Sequence, residues 1–231
     1  MPHQLEQMRA VSPALERFTL GPALGELWKR PELSARDRSI VTLSALIARN
    51  QSSELPYYLD LALDSGVKPG EISELITHLA FYAGWGNAMA ALPAAHAAFV
   101  QRGVRADQLP SASGDLLPLD EATEEKRATM VAANFGEVAP GVVQNTTDLL
   151  FRNLWLRPGL APRDRSLVTV SALVASGQAA QIPYHLNRAM DNGLTRAEAS
   201  EALNQLAFYA GWPNVFSAMP VFKEVFEKRQ G

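Results

Sequence analysis

The chain has 231 residues, no cysteine, four histidines and a formal net charge of −3. Without thiols there can be no disulfide, thiolate metal site or thiol-based redox mechanism, and the acidic balance argues against a nucleic-acid surface. No stretch approaches the ~18 apolar residues of a membrane span and the first residues lack a secretion-signal core, so a cytoplasmic protein is expected.

His3 falls in a terminus expected to be mobile. A helix is expected near Pro22–Trp28. The next opens at Ser34, with Asp37 three residues on as in a capping box, and Ile40, Leu43, Ala45, Leu46 and Ile47 follow helical spacing. A second starts near Glu54, holds Pro56 in its first turn and stops at Gly66. A third runs to Tyr82 and breaks at Gly84-Trp85-Gly86. A fourth spans Asn87 to Arg102, with Asn87 as its cap. Gly103 to Pro118 reads as a linker.

The chain then repeats itself. At an offset of 127 residues, Arg36-Asp37-Arg38-Ser39 returns as Arg163-Asp164-Arg165-Ser166, and Phe81-Tyr82-Ala83-Gly84-Trp85 as Phe208-Tyr209-Ala210-Gly211-Trp212. No gap is needed from Trp28/Trp155 to Arg102/Arg229, and roughly half of those positions are identical. Helices are therefore expected near Val142–Leu156, from Pro162, from Gln181 to Gly193, from the Thr195-x-x-Glu198 capping box to Tyr209, and from Asn214 to Lys228. No alternating β-branched run suggests a strand. The reading is an all-α protein of two fused helical units, 1–103 and 119–231, joined by 104–118. Units of that size bury a limited core, so they should pack on each other and self-associate.

The second helix of each unit carries the polar candidates. Gln178, Gln181 and His185 in the second unit align with Gln51, Glu54 and Tyr58 in the first. A helix N-terminus offers unpaired N–H groups to a carboxylate ligand; the same side chains could equally form a polar interface between units. Arg38 and Arg165 could clamp a carboxylate or close a salt bridge. His78, four residues before Tyr82, suits a core position as well as a binding one, and His96 should be exposed. Trp85, Trp212, Tyr82 and Tyr209 should fix the crossing of the third and fourth helices. No spacing of metal ligands and no nucleotide-binding glycine loop occurs, so no cofactor is expected.

Arg-x-Arg-Ser, Gln-x-x-(Glu/Gln)-(Leu/Ile)-Pro-Tyr-(Tyr/His)-Leu and Phe-Tyr-Ala-Gly-Trp-x-Asn together resemble the carboxymuconolactone decarboxylase family. The likeness covers roughly 24–102 and 151–229 and is closest over Pro183–Gly193. In that family's alkylhydroperoxidase D-like branch, Cys-x-x-Cys-x-x-x-His would put cysteines at 178 and 181. Gln178 and Gln181 stand there, which excludes thiol peroxidase chemistry. The lactone-acting branch resembles this chain in having Glu at the 54/181 position and His at the 58/185 position, here split between Glu54 and His185. The resemblance implies a cofactor-free lyase on a small carboxylated or lactone-type compound, with His185 as acid, Glu54 and Arg165 beside it, and Gln178, Gln181, Arg38, Gln51, Tyr58 and His78 as binding residues. Loss of carbon dioxide leaves electron density for a carbonyl to accept, and a proton must then reach carbon. A composite Glu54–His185 site is one option; a single-unit site on His185 is the other. A non-catalytic ligand-binding or scaffold protein is the alternative function. Family members resemble one another in forming rings, often of six units, which three copies of this chain would complete.

Overall fold

The computed structural model describes residues 2–229, with side chains from Gln4 onward. The first unit comprises α1 (Pro2–Val11), α2 (Pro13–Phe18), α3 (Ala35–Ala48), α4 (Leu55–Asp64), α5 (Pro69–Tyr82) and α6 (Trp85–Gln101). The second comprises α7 (Glu121–Phe135), α8 (Pro140–Asn145), α9 (Pro162–Ala175), α10 (Ile182–Asp191), α11 (Arg196–Ala210) and α12 (Trp212–Lys228). Among the described residues there is no strand.

The helix ends follow local chemistry. The Ser34 hydroxyl accepts from the Asp37 N–H, Pro162 takes the first position of α9, and Thr195 and Glu198 close a reciprocal capping box. Gly66 and Gly193 leave α4 and α10 at φ of 91° and 99°, where a side chain would be strained. Asn87 and Asn214 are not the helix caps that the sequence suggests. Gly84 and Gly211 hold the cap positions. Each asparagine amide donates instead to two carbonyls, Asn87 to Ala83 and Ala48 and Asn214 to Ala210 and Ala175, which ties the helix break to the end of α3 or α9.

Other expectations need correcting. The segments before α3 and α9 are not single α-helices. Each is a π-helical stretch, Thr19–Glu26 or Thr146–Phe151, followed by a 3₁₀ turn that holds Trp28 or Trp155. Helix α7 lies where no element is expected. His3, placed in a mobile terminus, has its backbone in α1. Trp85 and Trp212 do not wedge the helix crossing: they are 61% and 50% exposed and touch only the preceding Phe81 and Phe208 among ring partners. Tyr82 and Tyr209 turn inward instead.

Helices α3 and α9 pack against each other at the centre, and nearly every residue of both is buried. α5 of the first unit packs on α9, and α11 of the second packs on α3. The buried charges of this core are paired across the unit boundary, although Arg38 Nε, Arg165 Nε and Ser171 Oγ have no hydrogen-bond partner. Arg165, fully buried, donates to Glu74 of α5, which also takes Arg157. Its counterpart Arg38 donates to Glu201 of α11, which also takes Arg30. Burial alone would raise the Glu74 pKa, but Arg157 and Arg165 hold it below the ordinary glutamate value. At the start of the central helices, Arg36 reaches Asp164 at 2.7 Å and Arg163 reaches Asp37 at 2.8 Å. The core is therefore shared, and the repeat places each ion pair twice.

Removing one partner of a buried pair strands the other charge. Glu74→Gln is expected to cost about 3–5 kcal/mol, read as a shift of the urea midpoint, whereas the exposed Glu125→Gln should move it by less than about 0.5 kcal/mol. Equal midpoints for the two variants would contradict the shared ionic core.

Candidate functional site

The shared core carries two related clusters, each built from both units. In the first, Tyr82 of α5 accepts a 2.9 Å hydrogen bond from the Trp155 indole. In the second, Tyr209 of α11 accepts one of 2.9 Å from Trp28. Behind each lies a polar link. His78 Nε2 lies 2.7 Å from Thr169 Oγ1, and Gln205 Nε2 donates to Thr42 Oγ1 at 3.0 Å. The Thr169 hydroxyl proton is committed to the Arg165 carbonyl. His78 must therefore donate from Nε2, which leaves Nδ1 to face the Arg165 guanidinium at 3.5 Å. Gln205 does the same with an amide, donating to Thr42 and accepting from Arg38. A neutral imidazole and a carboxamide thus perform one task. His78 is a fully buried linker, pushed well below the usual histidine pKa by burial and by Arg165, and not a residue that meets a ligand.

His185 sits in the first turn of α10. Its ring stacks on Trp155 with centroids 6.0 Å apart and meets Tyr82 and Tyr184 edge-on at 5.2 and 5.0 Å. Beside this cluster lies a cavity of about 410 Å³, walled by Phe151, Trp155, Tyr184, Arg188, Arg127 and Glu124 among others. Arg188 lies over the Trp155 ring and Arg127 over that of Phe151. Arg127 is buried in a bidentate pair with Glu124. Three buried polar atoms here have no partner: Arg127 Nη1, Arg188 Nε and His185 Nδ1. Unsatisfied buried groups are rare in folded proteins, so three in one locality set this region apart. Burial and the nearby Arg188 charge push the His185 pKa down to about 4, so the imidazole is neutral at pH 7. The expectation of a near-neutral acid is corrected by its surroundings.

The remaining candidates disperse. Glu54 lies in the other cluster, near Tyr58, and accepts from the Gln4 amide at 3.1 Å. No contact joins Glu54 to His185. Tyr58 packs on Trp28, Tyr57 and Tyr209, its pKa raised by burial and the neighbouring tyrosines. Arg165 and Arg38 do not clamp a ligand carboxylate, because each holds a glutamate of the opposite unit. Gln178 and Gln181 are exposed and Gln51 half-buried, and none of the three lines either cavity. His96 is exposed, as expected. Arg188, Arg127, Glu124 and Phe151 escape sequence reading. Arg188 had one usable signal: it stands one helical turn from His185, where the first unit has Leu61. Among the described residues no group of histidines and carboxylates is placed to hold a metal ion, and no helix is long and apolar enough to cross a membrane.

The profile of the carboxymuconolactone decarboxylase family matches residues 13–97 and 140–224. A 4-carboxymuconolactone decarboxylase from Acinetobacter baylyi is 39% identical over 74 residues, 32% of this chain and 55% of that protein. A nitrosuccinic acid decarboxylase from Metarhizium robertsii is 33% identical over 75 residues, 32% of this chain and 52% of its own. The chain thus spans about half the length of these curated relatives. A solved structure from Burkholderia xenovorans, provisionally described as a gamma-carboxymuconolactone decarboxylase subunit, superposes with a TM-score of 0.62 at 18% identity. It covers all of this chain and 92% of its own, a likeness of fold.

The depressed His185 pKa has a signed consequence. In the unfolded chain its imidazole takes up a proton near pH 6.5, and in the folded chain only near 4. Its contribution to stability is complete above pH 6.5 and is lost as the pH falls from there to about 4, by of the order of 3 kcal/mol. His78 acts in the same direction. His185→Phe should therefore flatten the fall in urea midpoint between pH 7.5 and pH 5, and an unchanged slope would contradict the buried neutral imidazole.

Proposed function

Because the chain belongs to the carboxymuconolactone decarboxylase family, we propose that it is a cofactor-free lyase. Its substrate is a small carboxylated or lactone-type compound, decarboxylated in the cavity that Arg127 and Arg188 line beside the His185 cluster. The observation that carries this reading is a cavity lined by Arg127, Arg188 and an aromatic wall, with unpartnered buried polar atoms on both arginines and on the neighbouring His185. The two curated relatives are named for decarboxylations of a lactone acid and a nitro acid. Both substrates have an electron-withdrawing group able to accept the electron pair that the departing carbon dioxide leaves behind.

The roles follow from position. Arg188 and Arg127 offer N–H groups to anionic oxygens of the substrate and to the charge that develops on its carbonyl or nitro oxygen. Phe151, Trp155 and Tyr184 exclude water from the scissile carboxylate. The C–C bond breaks, carbon dioxide leaves, and the pair delocalises onto the acceptor group. A proton then goes to carbon. In the free protein His185 is neutral, but a bound anion raises its proton affinity, so substrate and proton arrive together and His185 becomes the donor. Tyr58, its counterpart, lies in a cluster without a cation and does not take this role. Glu54, Gln178, Gln181 and Gln51 are not needed for it.

The same neutral imidazole also suits a protein that binds a small carboxylate without turning it over. Kinetics separate the two. With carboxylated lactones followed by ultraviolet absorbance, His185→Ala should lower kcat about 100-fold or more, while Tyr58→Phe should change it by less than about twofold. Saturable binding with no absorbance change for any tested lactone or nitro acid would favour the binder.

We also propose self-association as a homotrimer. Helices α6 and α12 expose matching apolar stripes: Trp85, Met89 and Leu92 are 61, 58 and 43% exposed, and Trp212, Phe216 and Met219 are 50, 63 and 45%. Stripes of this size mark interaction surfaces. Light scattering should give three times the 25.1 kDa chain mass, and the mass of one chain at micromolar concentration would sink the proposal.

A further inference from the structure

A second hollow, at Glu54 and Tyr58 of the first unit, is larger than the cavity beside His185 and chemically unlike it. It has a volume of about 820 Å³ and is walled mainly by Met8, Leu15, Phe18, Phe208, Tyr209 and Trp212. The cations of the second-unit site have no equivalents. Across the repeat the two linings share one equivalent pair, Leu24 and Phe151, and Arg127 lies on α7, outside both segments matched to the family. Among the described residues lining this hollow there is no lysine, arginine or histidine, and the one acid is Glu54. The Gln4 amide occupies Glu54 Oε1. Much of the roof comes from α1, which also lies outside the family-matched segments, so part of this enclosure is the chain's own addition.

We infer that this hollow is a second ligand site, which takes an uncharged aromatic molecule bearing a hydroxyl or N–H donor. Its volume and apolar lining are those of a small-molecule pocket. An anion entering it would leave water for a space with no compensating donor cation and with a carboxylate already present. Planar rings find edge and face partners in Tyr58, Phe208, Tyr209 and Trp212. A ligand donor finds its acceptor in Glu54, whose Oε2 the Gln4 bond leaves open. The site is independent of the lyase reading, because it shares no lining residue with the cavity beside His185.

Indole and benzoate test it, being of equal size, one uncharged with an N–H donor and the other anionic. Calorimetry on the full chain at pH 7 should give saturable indole binding at one molecule per chain. In the His185→Ala/Arg188→Met variant, which silences the other cavity, benzoate should bind at least about tenfold more weakly than indole. Phe18→Ala and Glu54→Gln should each weaken indole by about fivefold or more, and Leu24→Arg should shift preference toward benzoate. Methyl NMR of Met8 in the unsubstituted chain reports occupancy without any variant, and its resonance should move as indole saturates. An absence of saturable indole binding would overturn the inference. So would indole binding lost with Arg188→Met but indifferent to Phe18→Ala, equal affinity for both probes in the silenced variant, or a static Met8 resonance at saturation.

Discussion

Two guanidinium groups without any solvent exposure govern this molecule. Arg38 and Arg165 lie in the central helices, and the carboxylate that neutralises each belongs to the other half of the chain. A buried cation without its partner is among the costliest defects a fold can carry, so the halves are held in one register. Everything near the candidate sites inherits that register. Tyr82 can meet Trp155, and His78 can meet Thr169, because Glu74 on the same helix is fixed by Arg165 one or two turns away. The functional clusters are by-products of an ionic lock, one per guanidinium.

Symmetry in the lock and asymmetry in the clusters follow from different demands. Positions that serve the lock keep charge and length: Arg38 and Arg165, Glu74 and Glu201, Arg30 and Arg157. The layer behind tolerates His78 against Gln205, since both present one donor and one acceptor at the required spacing. The cavity walls are freer still. Phe151 corresponds to Leu24 across the repeat, and the rest of the two linings differ, one with Arg127 and Arg188 and the other without a cation among its described residues. A symmetric dimer of single units would be forced to carry two identical clusters. Covalent fusion removes that constraint while the ionic core keeps the old geometry.

Much of this was legible in the sequence. The repeat, the all-helical class, the Pro162 and Thr195 helix starts and the Gly66 and Gly193 stops rest on local rules, and local rules read well. The family likeness was carried by motifs that the repeat shows twice. The site was less legible because its parts come from distant segments. Arg165 read equally as a ligand clamp or a salt bridge, and only the fold could bring Glu74 to it from 91 residues away. Helix α7 carries Arg127 into the cavity, but it falls on α1 across the repeat without a shared residue over 129–135 and 2–8, so the repeat gave no pointer to it. Trp85 and Trp212 looked structural because they recur, yet recurrence also preserves a surface needed twice. His185 was noticed for its residue type, but its protonation depends on burial and on Arg188, which spacing alone does not price.

The crossing of the ion pairs also bears on how the chain reaches its native state. Arg38 waits for Glu201, 163 positions later, and Arg165 looks back 91 positions to Glu74. Contacts so remote in sequence close large loops and come late. During synthesis, the first unit emerges with a cation destined for the interior and nothing to neutralise it. Helices α3 to α6 can form and touch, but their core cannot seal until α11 has left the ribosome. Until then Arg38 has no carboxylate to neutralise it in the interior. In a chain of this design, the rate of translation and the availability of chaperones set the yield of native protein as much as final stability does.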